Sequence, residues 1–189
     1  MHNHSMHDDI ESILFSEDEL KARVAEMGRE IEDDLLKNLD FGDRVIFVGV
    51  LRGAATFMQD LVRNIDLPIQ LDYLYASSYG DDAKSSGEVT FESGALQRLK
   101  GAHVVIVEDI IDTGLTMHRM KEEFLNCGAK SVRLAALIIK DVKREMEVTP
   151  DYFGMHCPNE FIVGYGLDYA QMYRNLPYIG ILKRAVYES

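Results

Sequence analysis

The chain has 189 residues, 47% hydrophobic and 28% charged, the length and balance of one globular domain with a substantial core. Its formal net charge of −12 argues against a nucleic-acid partner, because backbone binding needs clustered lysine and arginine. No apolar run approaches the roughly 20 residues of a membrane span, and Cys127 and Cys157 are too few for a disulfide framework; a reduced, cytoplasmic setting without a membrane partner is expected.

The opening "MHNHSMH" reads as part of a flexible leader over 1–12, native or artificially added, with a single domain over 13–189. Ser16 and Glu19 form a capping box, with Ile13 and Leu14 just upstream to pack on the first turn. Leu20, Val24, Met27, Ile31 and Leu35 follow at helical spacing and carry a helix to about Asn38. "VIFVGV" (45–50) suits a strand buried on both faces. After "LRG", a second amphipathic helix is spaced by Ala54, Phe57, Met58, Leu61 and Ile65. "IQLDYLYASSY" (69–79) alternates as a strand does, "GDDAKSSG" (80–87) is expected to be a mobile loop, and "EVTFES" resumes an extended segment.

"VVIV" (104–107) is another apolar strand. A turn at "DTG" leads into a helix from about Leu115 to Asn126, closed by Gly128. "SVRLAALIIK" (131–140), "EFIVGYG" (160–166) and "YIGIL" (178–182) add strands, while Met155 and Cys157 are placed near a loop. Strands alternating with helices indicate an α/β domain with a largely parallel sheet. Ligands of such sheets sit at the carboxyl ends of the strands, which directs attention to "LRG", "EDIIDTG", "IIKDV" and "GYGLDY".

In "EDIIDTGLT", a tight turn at Gly114 would expose backbone N–H groups beside the hydroxyls of Thr113 and Thr116. The positive end of the following helix would favour a monophosphate there, although the same residues also suit a plain turn and cap. Neither a Walker A ending nor a G-x-G-x-x-G fingerprint is present. Glu108 and Asp109 follow four aliphatic residues, a place where unpaired charge is costly. Neighbours on an extended chain point opposite ways, so the two carboxylates are expected to do different work. Paired acids can hold the two hydroxyls of a ribose, directly or through hydrated Mg²⁺. Asp112, nearer the turn, can reach a reacting centre as a base. A solvated acidic loop is the bland alternative, weakened by the apolar run before it.

"VVIVEDIIDTGLT" closely resembles the phosphoribosyl-pyrophosphate motif of the type I phosphoribosyltransferases, and more narrowly that of the hypoxanthine-guanine phosphoribosyltransferases. The resemblance runs from about Ser16 to Leu182, with "VGVLRGA", "SSYG", "LIIK" and "EFIVGYGLDYAQMYRNLPYIG" in the family's order. It implies the type I fold: a mostly parallel central sheet flanked by helices, with a small hood built from the N- and C-terminal segments. It also implies Mg²⁺-dependent transfer of 5-phosphoribosyl to N9 of a 6-oxopurine, giving IMP or GMP and pyrophosphate in purine salvage, by a homodimer or homotetramer.

The resemblance extends to single residues. Glu108, Asp109, Asp112, Thr113, Gly114, Leu115 and Thr116 would bind the ribose and 5′-phosphate, with Asp112 as catalytic base. Arg52, Gly53 and Arg174 would bind pyrophosphate, with a cis peptide between Leu51 and Arg52. Ser78 and Tyr79 would begin a lid. Lys140 would donate to the purine O6, Phe161 would stack on the ring, and Ile162 and Asp168 would complete the purine site. Glu108, Asp109 and Asp168 would serve the metal. Leu115 stands where the family often has lysine, leaving the 5′-phosphate more dependent on backbone amides and Thr116. Phosphoribosyl-pyrophosphate-sensing regulators share this fold, but they need a basic surface or an added module. Transferases for adenine or a pyrimidine should lack the Lys140 and Phe161 arrangement.

Overall fold

The computed structural model of the chain describes residues 4–75, 95–111, 114–141 and 149–188. After a short 3₁₀ turn (Met6–Asp9), the order is β1 (Ile10–Phe15), α1 (Glu17–Asn38), β2 (Val45–Leu51), α2 (Ala54–Val62), β3 (Gln70–Tyr75), α3 (Ala95–Leu99) and β4 (His103–Ile111). Then come α4 (Leu115–Asn126), β5 (Ser131–Lys140), β6 (Tyr152–Cys157), β7 (Ile162–Val163), β8 (Ile179–Leu182) and α5 (Arg184–Tyr187).

Five strands form a parallel sheet in the order β3-β2-β4-β5-β6. The period-two alternation of β2 and β4 divides the core between its two faces. Val45, Phe47, Val105 and Val107 pack with Leu20, Val24, Phe57 and Leu61 of α1 and α2. Ile46, Val48, Val104 and Ile106 pack with Met117, Met120 and Phe124 of α4. Helix α1 starts at the expected capping box, where Ser16 N–H donates to Glu19 at 2.8 Å and Ser16 Oγ accepts from Glu19 N–H. Arg23 of α1 donates to the backbone oxygens of Phe153 and Gly154 at 2.6 and 3.1 Å, covering part of the edge of β6, where unpaired backbone groups would invite another strand. At the amino ends of the strands, buried His103 joins Ser131 (2.7 Å) and Asp43 (3.1 Å). Lys130 lies 2.6 Å from Asp43, and its hydrogen bond is the main reason that carboxyl is held down at about 2.

A second, antiparallel sheet in the order β1-β8-β7 joins the first strand of the chain to its last two, where the hood was expected. The flexible leader over 1–12 therefore needs correction. Residues 6–9 form a turn with its own capping box, and Ile10–Phe15 pairs with Ile179–Leu182. His7 reaches Tyr178 at 2.8 Å and Asp9 accepts from Tyr173 at 2.8 Å. These partners lie 171 and 164 residues away in sequence and leave no local signature. Ile13 is 57% exposed and does not staple the first turn of α1, because its strand turns that side outward.

Other boundaries shift for identifiable reasons. Strand β4 continues beyond Val107 to Ile111 because Glu108, Ile110 and Ile111 keep pairing with β5. Strand β6, read as near a loop, lacks a continuous aliphatic run. Only glycine fits at its position 154, because a Cβ there would lie 2.3 Å from the Leu137 oxygen. Strand β7 stops at Val163 because Gly164, Tyr165 and Gly166 take φ of +102°, +51° and +105°, which a strand does not accommodate. Short helices α3 and α5 were not anticipated. The expected loop at 80–87 and the extended "EVTFES" lie outside the described residues.

Candidate active site

The carboxyl ends of β2, β4 and β5 face the loop between β7 and β8. A cleft of about 230 Å³ opens there, lined by Asp109, Ile110, Lys140, Phe161, Ile162, Leu167 and Asp168. Three segments far apart in sequence thus meet, and five of the seven lining residues were expected. Ile110 and Leu167 were not, since ordinary aliphatic residues beside a motif carry no chemical signal.

Three walls of the cleft are distinct. Lys140 ends β5 half-buried, and its ammonium makes no hydrogen bond or ion pair among the described residues. Phe161 presents one aromatic wall and is itself stacked on Tyr187 of α5 at 4.7 Å and 21°, with Tyr169 meeting it edge-on at 5.6 Å. The third wall is acidic. Asp109 is 8% exposed, and its Oδ1 accepts from the Ile110 N–H at 2.9 Å.

The loop after β2 is fitted against that carboxylate. The Leu51–Arg52 peptide is cis, as the resemblance implied. A Cβ on Gly53 would lie 1.6 Å from Asp109 Oδ2, and one on Gly166 would lie 2.2 Å from the Gly53 oxygen. Two glycines therefore let three backbone segments close on one acid.

Glu108 has a buried Oε2 without a hydrogen-bond partner among the described residues. Burial pushes its carboxyl well above the usual carboxylate range, and the Asp109 charge adds to the shift. Asp109 is also raised, chiefly by burial, with hydrogen bonds and the Arg174 charge acting against it. Although the strand pleat separates the two acids, each still influences the other's charge.

At the start of α4, Gly114 is the N-cap with φ +80° and makes no side-chain capping bond. The first N–H groups of a helix have no intrahelical acceptor, and the first turn contains no acid, so the Gly114–Thr116 segment is suited to an anion. Asp112 and Thr113 lie outside the described residues, as do Ser78 and Tyr79, expected to begin a lid.

Asp168 and Arg174 are brought together, but on each other. Arg174 donates to the Gly166 oxygen at 2.6 Å and lies 2.7 Å from Asp168 Oδ1, while its buried Nε has no hydrogen-bond partner among the described residues. Exposed Arg52 donates to Gln171 at 3.0 Å. Beyond Ile110 and Leu167, sequence reasoning also missed Gln171 and Tyr187. Gln171 lies inside the quoted "EFIVGYGLDYAQMYRNLPYIG" stretch, but neither an exposed glutamine nor a tyrosine outside any motif carries a chemical signal of its own.

The phosphoribosyl transferase domain family matches residues 16–170. A bifunctional TilS/HprT protein of Listeria monocytogenes is 45% identical over 187 residues, covering 99% of this chain but 28% of its own length. The chain thus spans less than a third of that relative. A hypoxanthine-guanine phosphoribosyltransferase of Bacillus subtilis is 42% identical, with 97% of this chain and 99% of that protein covered. The crystal structure of a hypoxanthine phosphoribosyltransferase from Staphylococcus aureus superposes with a TM-score of 0.89 at 35% identity, over all of both chains.

Proposed function

The chain belongs to the phosphoribosyl transferase family, and on that premise we propose that it is a hypoxanthine-guanine phosphoribosyltransferase. It would move 5-phosphoribosyl from phosphoribosyl pyrophosphate to N9 of a 6-oxopurine in purine salvage. The observation that carries the reading is the cleft joining Lys140, Phe161 and Asp109. It combines a donor-only cation, an aromatic face and a buried acid in a space suited to one flat heterocycle.

The chemistry follows from these residues. The purine lies on Phe161, and the Lys140 ammonium, with three donors and no acceptor, faces O6. The 5′-phosphate rests on the N–H groups of Gly114, Leu115 and Thr116, and Glu108 and Asp109 hold the ribose hydroxyls. Arg52, Gly53 and Arg174 take the pyrophosphate. As the C1–oxygen bond breaks, its electron pair leaves with pyrophosphate, and N9 forms the new bond to C1. Asp112 accepts the N7 proton. Positive charge develops on the ribose meanwhile, and fixed carboxylates stabilise it. Acids beside a phosphate site are thereby explained: they face the sugar cation, whereas the phosphate meets backbone amides.

Mg²⁺ takes few protein carboxylates and completes its shell with water and substrate phosphate. The donors present fit that habit. Glu108 has an unsatisfied oxygen, Asp109 and Asp168 line the cleft, and among the described residues no group of three acids, histidines or cysteines could hold a metal by itself. When bound, the ion would offset the charge of the pyrophosphate. The two free cysteines suit a reducing cytoplasm. The test is turnover of hypoxanthine, guanine, xanthine, adenine and uracil with phosphoribosyl pyrophosphate and Mg²⁺. Hypoxanthine or guanine should be used and adenine and uracil rejected; preference for either of the latter would overturn the reading.

A further inference from the structure

Gln171 lies in the β7–β8 loop and does not line the purine cleft, yet it contacts Asp168 and Arg174 of that loop and Arg52 of the loop after β2. Its Oε1 accepts from Arg52 Nη1 at 3.0 Å and from Arg174 Nη2 at 3.1 Å. Its own N–H donates to Asp168 Oδ2 at 2.8 Å. Two guanidiniums carry only donors, so the atom between them must be the amide oxygen. The residue adopts φ +66°, flanked by Ala170 at +48° and close to Tyr173 at +72°. Side chains rarely favour this left-handed conformation, and here it turns the amide toward both arginines.

We propose that Gln171 is a positioning residue that pre-assembles Arg52 and Arg174 into one clamp for the pyrophosphate group; this rests on the reading of the site given above. The two arginines come from different loops, one after β2 and one after β7, and their like charges repel. A single acceptor holds the two donating nitrogens within about 6 Å of each other, the sum of the two contacts. Its neutrality matters. Asp168 pairs with Arg174 at 2.7 Å and cancels charge, whereas an amide oxygen orders both cations and leaves their charge for the ligand. Ordering done before binding is not charged against affinity. Gln171 should therefore act on phosphoribosyl pyrophosphate and pyrophosphate, and not on the base.

The experiment compares wild type, Gln171→Leu and Gln171→Glu, all with a side chain on Cβ and so with the same backbone burden. Binding of inorganic pyrophosphate with Mg²⁺ is measured by calorimetry. Separate KM values for phosphoribosyl pyrophosphate and hypoxanthine, kcat and melting temperature complete the set. Gln171→Leu should weaken pyrophosphate and raise the KM for phosphoribosyl pyrophosphate about tenfold, as expected for losing a hydrogen bond to a charged group. The KM for hypoxanthine and the melting temperature should stay put. Gln171→Glu keeps both acceptor contacts but cancels the arginines' charge, so it should not recover the loss. Unchanged pyrophosphate binding in Gln171→Leu, a parallel loss of hypoxanthine affinity and melting temperature, or full recovery in Gln171→Glu would each overturn the proposal. Calorimetry needs no base, so wild type that binds pyrophosphate but turns over no 6-oxopurine would refute the transferase reading alone. Wild type that binds no pyrophosphate would refute both.

Discussion

Replacing Gly53 by alanine sets two opposed effects against each other. Gly53 has φ −61° and ψ −45°, a helical conformation that alanine adopts without strain, and a Gly→Ala change at such a site typically gains about 0.4–1 kcal/mol through the unfolded chain. The new Cβ, however, would lie 1.6 Å from Asp109 Oδ2 and 2.5 Å from Cγ. Asp109 is buried and bonded to the Ile110 N–H, so its carboxyl must rotate out of that bond. Overpacking of this kind costs about 1–3 kcal/mol, which leaves a net loss of about 1–2 kcal/mol. Melting temperature should fall by roughly 2–8 °C for a chain of this size, and turnover should fall further because the displaced carboxyl lines the purine cleft. Thermal denaturation on a double-mutant cycle with Asp109→Ala isolates the cause. With the carboxyl gone, Gly53→Ala should be neutral or slightly stabilising. Equal losses on both backgrounds, or no loss on the wild-type background, would refute the steric account.

Glu108→Gln should stabilise the ligand-free protein, and increasingly so as pH rises. The folded carboxyl has a raised pKa, so above the unfolded value the native state alone keeps its proton, costing about 1.4 kcal/mol per pH unit up to the folded pKa. Melting curves of both proteins from pH 5 to 8 check the widening gap, and a constant gap would contradict it. Lys140→Gln offers both a donor and an acceptor, so it should lower kcat/KM for hypoxanthine sharply and narrow its ratio to adenine; that ratio, unchanged in the variant, would remove Lys140 as the selector. EDTA should abolish turnover and excess Mg²⁺ restore it; full activity in metal-free buffer would exclude the proposed metal requirement.

The sequence by itself determined the elements whose residues repeat locally. The capping box at Ser16, the helical spacing from Leu20 to Leu35 and the apolar runs of β2 and β5 all appear in the structure within a residue or two. In each, backbone hydrogen bonding and side-chain periodicity point to the same answer. The motif after β4 was equally legible, because a positive-φ glycine before a helix is a local requirement met at Gly114. Tertiary structure decided what depends on distant partners. Ile10–Phe15 becomes a strand only because β8 lies beside it, and β6 only because β5 does. Tyr187 acquires a role only by stacking on Phe161, and Gln171 only by standing between two loops. The raised carboxyls of Glu108 and Asp109 were legible only in part, since the aliphatic run before them marked a costly place for charge while the depth of their burial was set by the packed fold. A spacing rule reads contacts within a few residues, whereas desolvation and the meeting of loops are set by the packed whole.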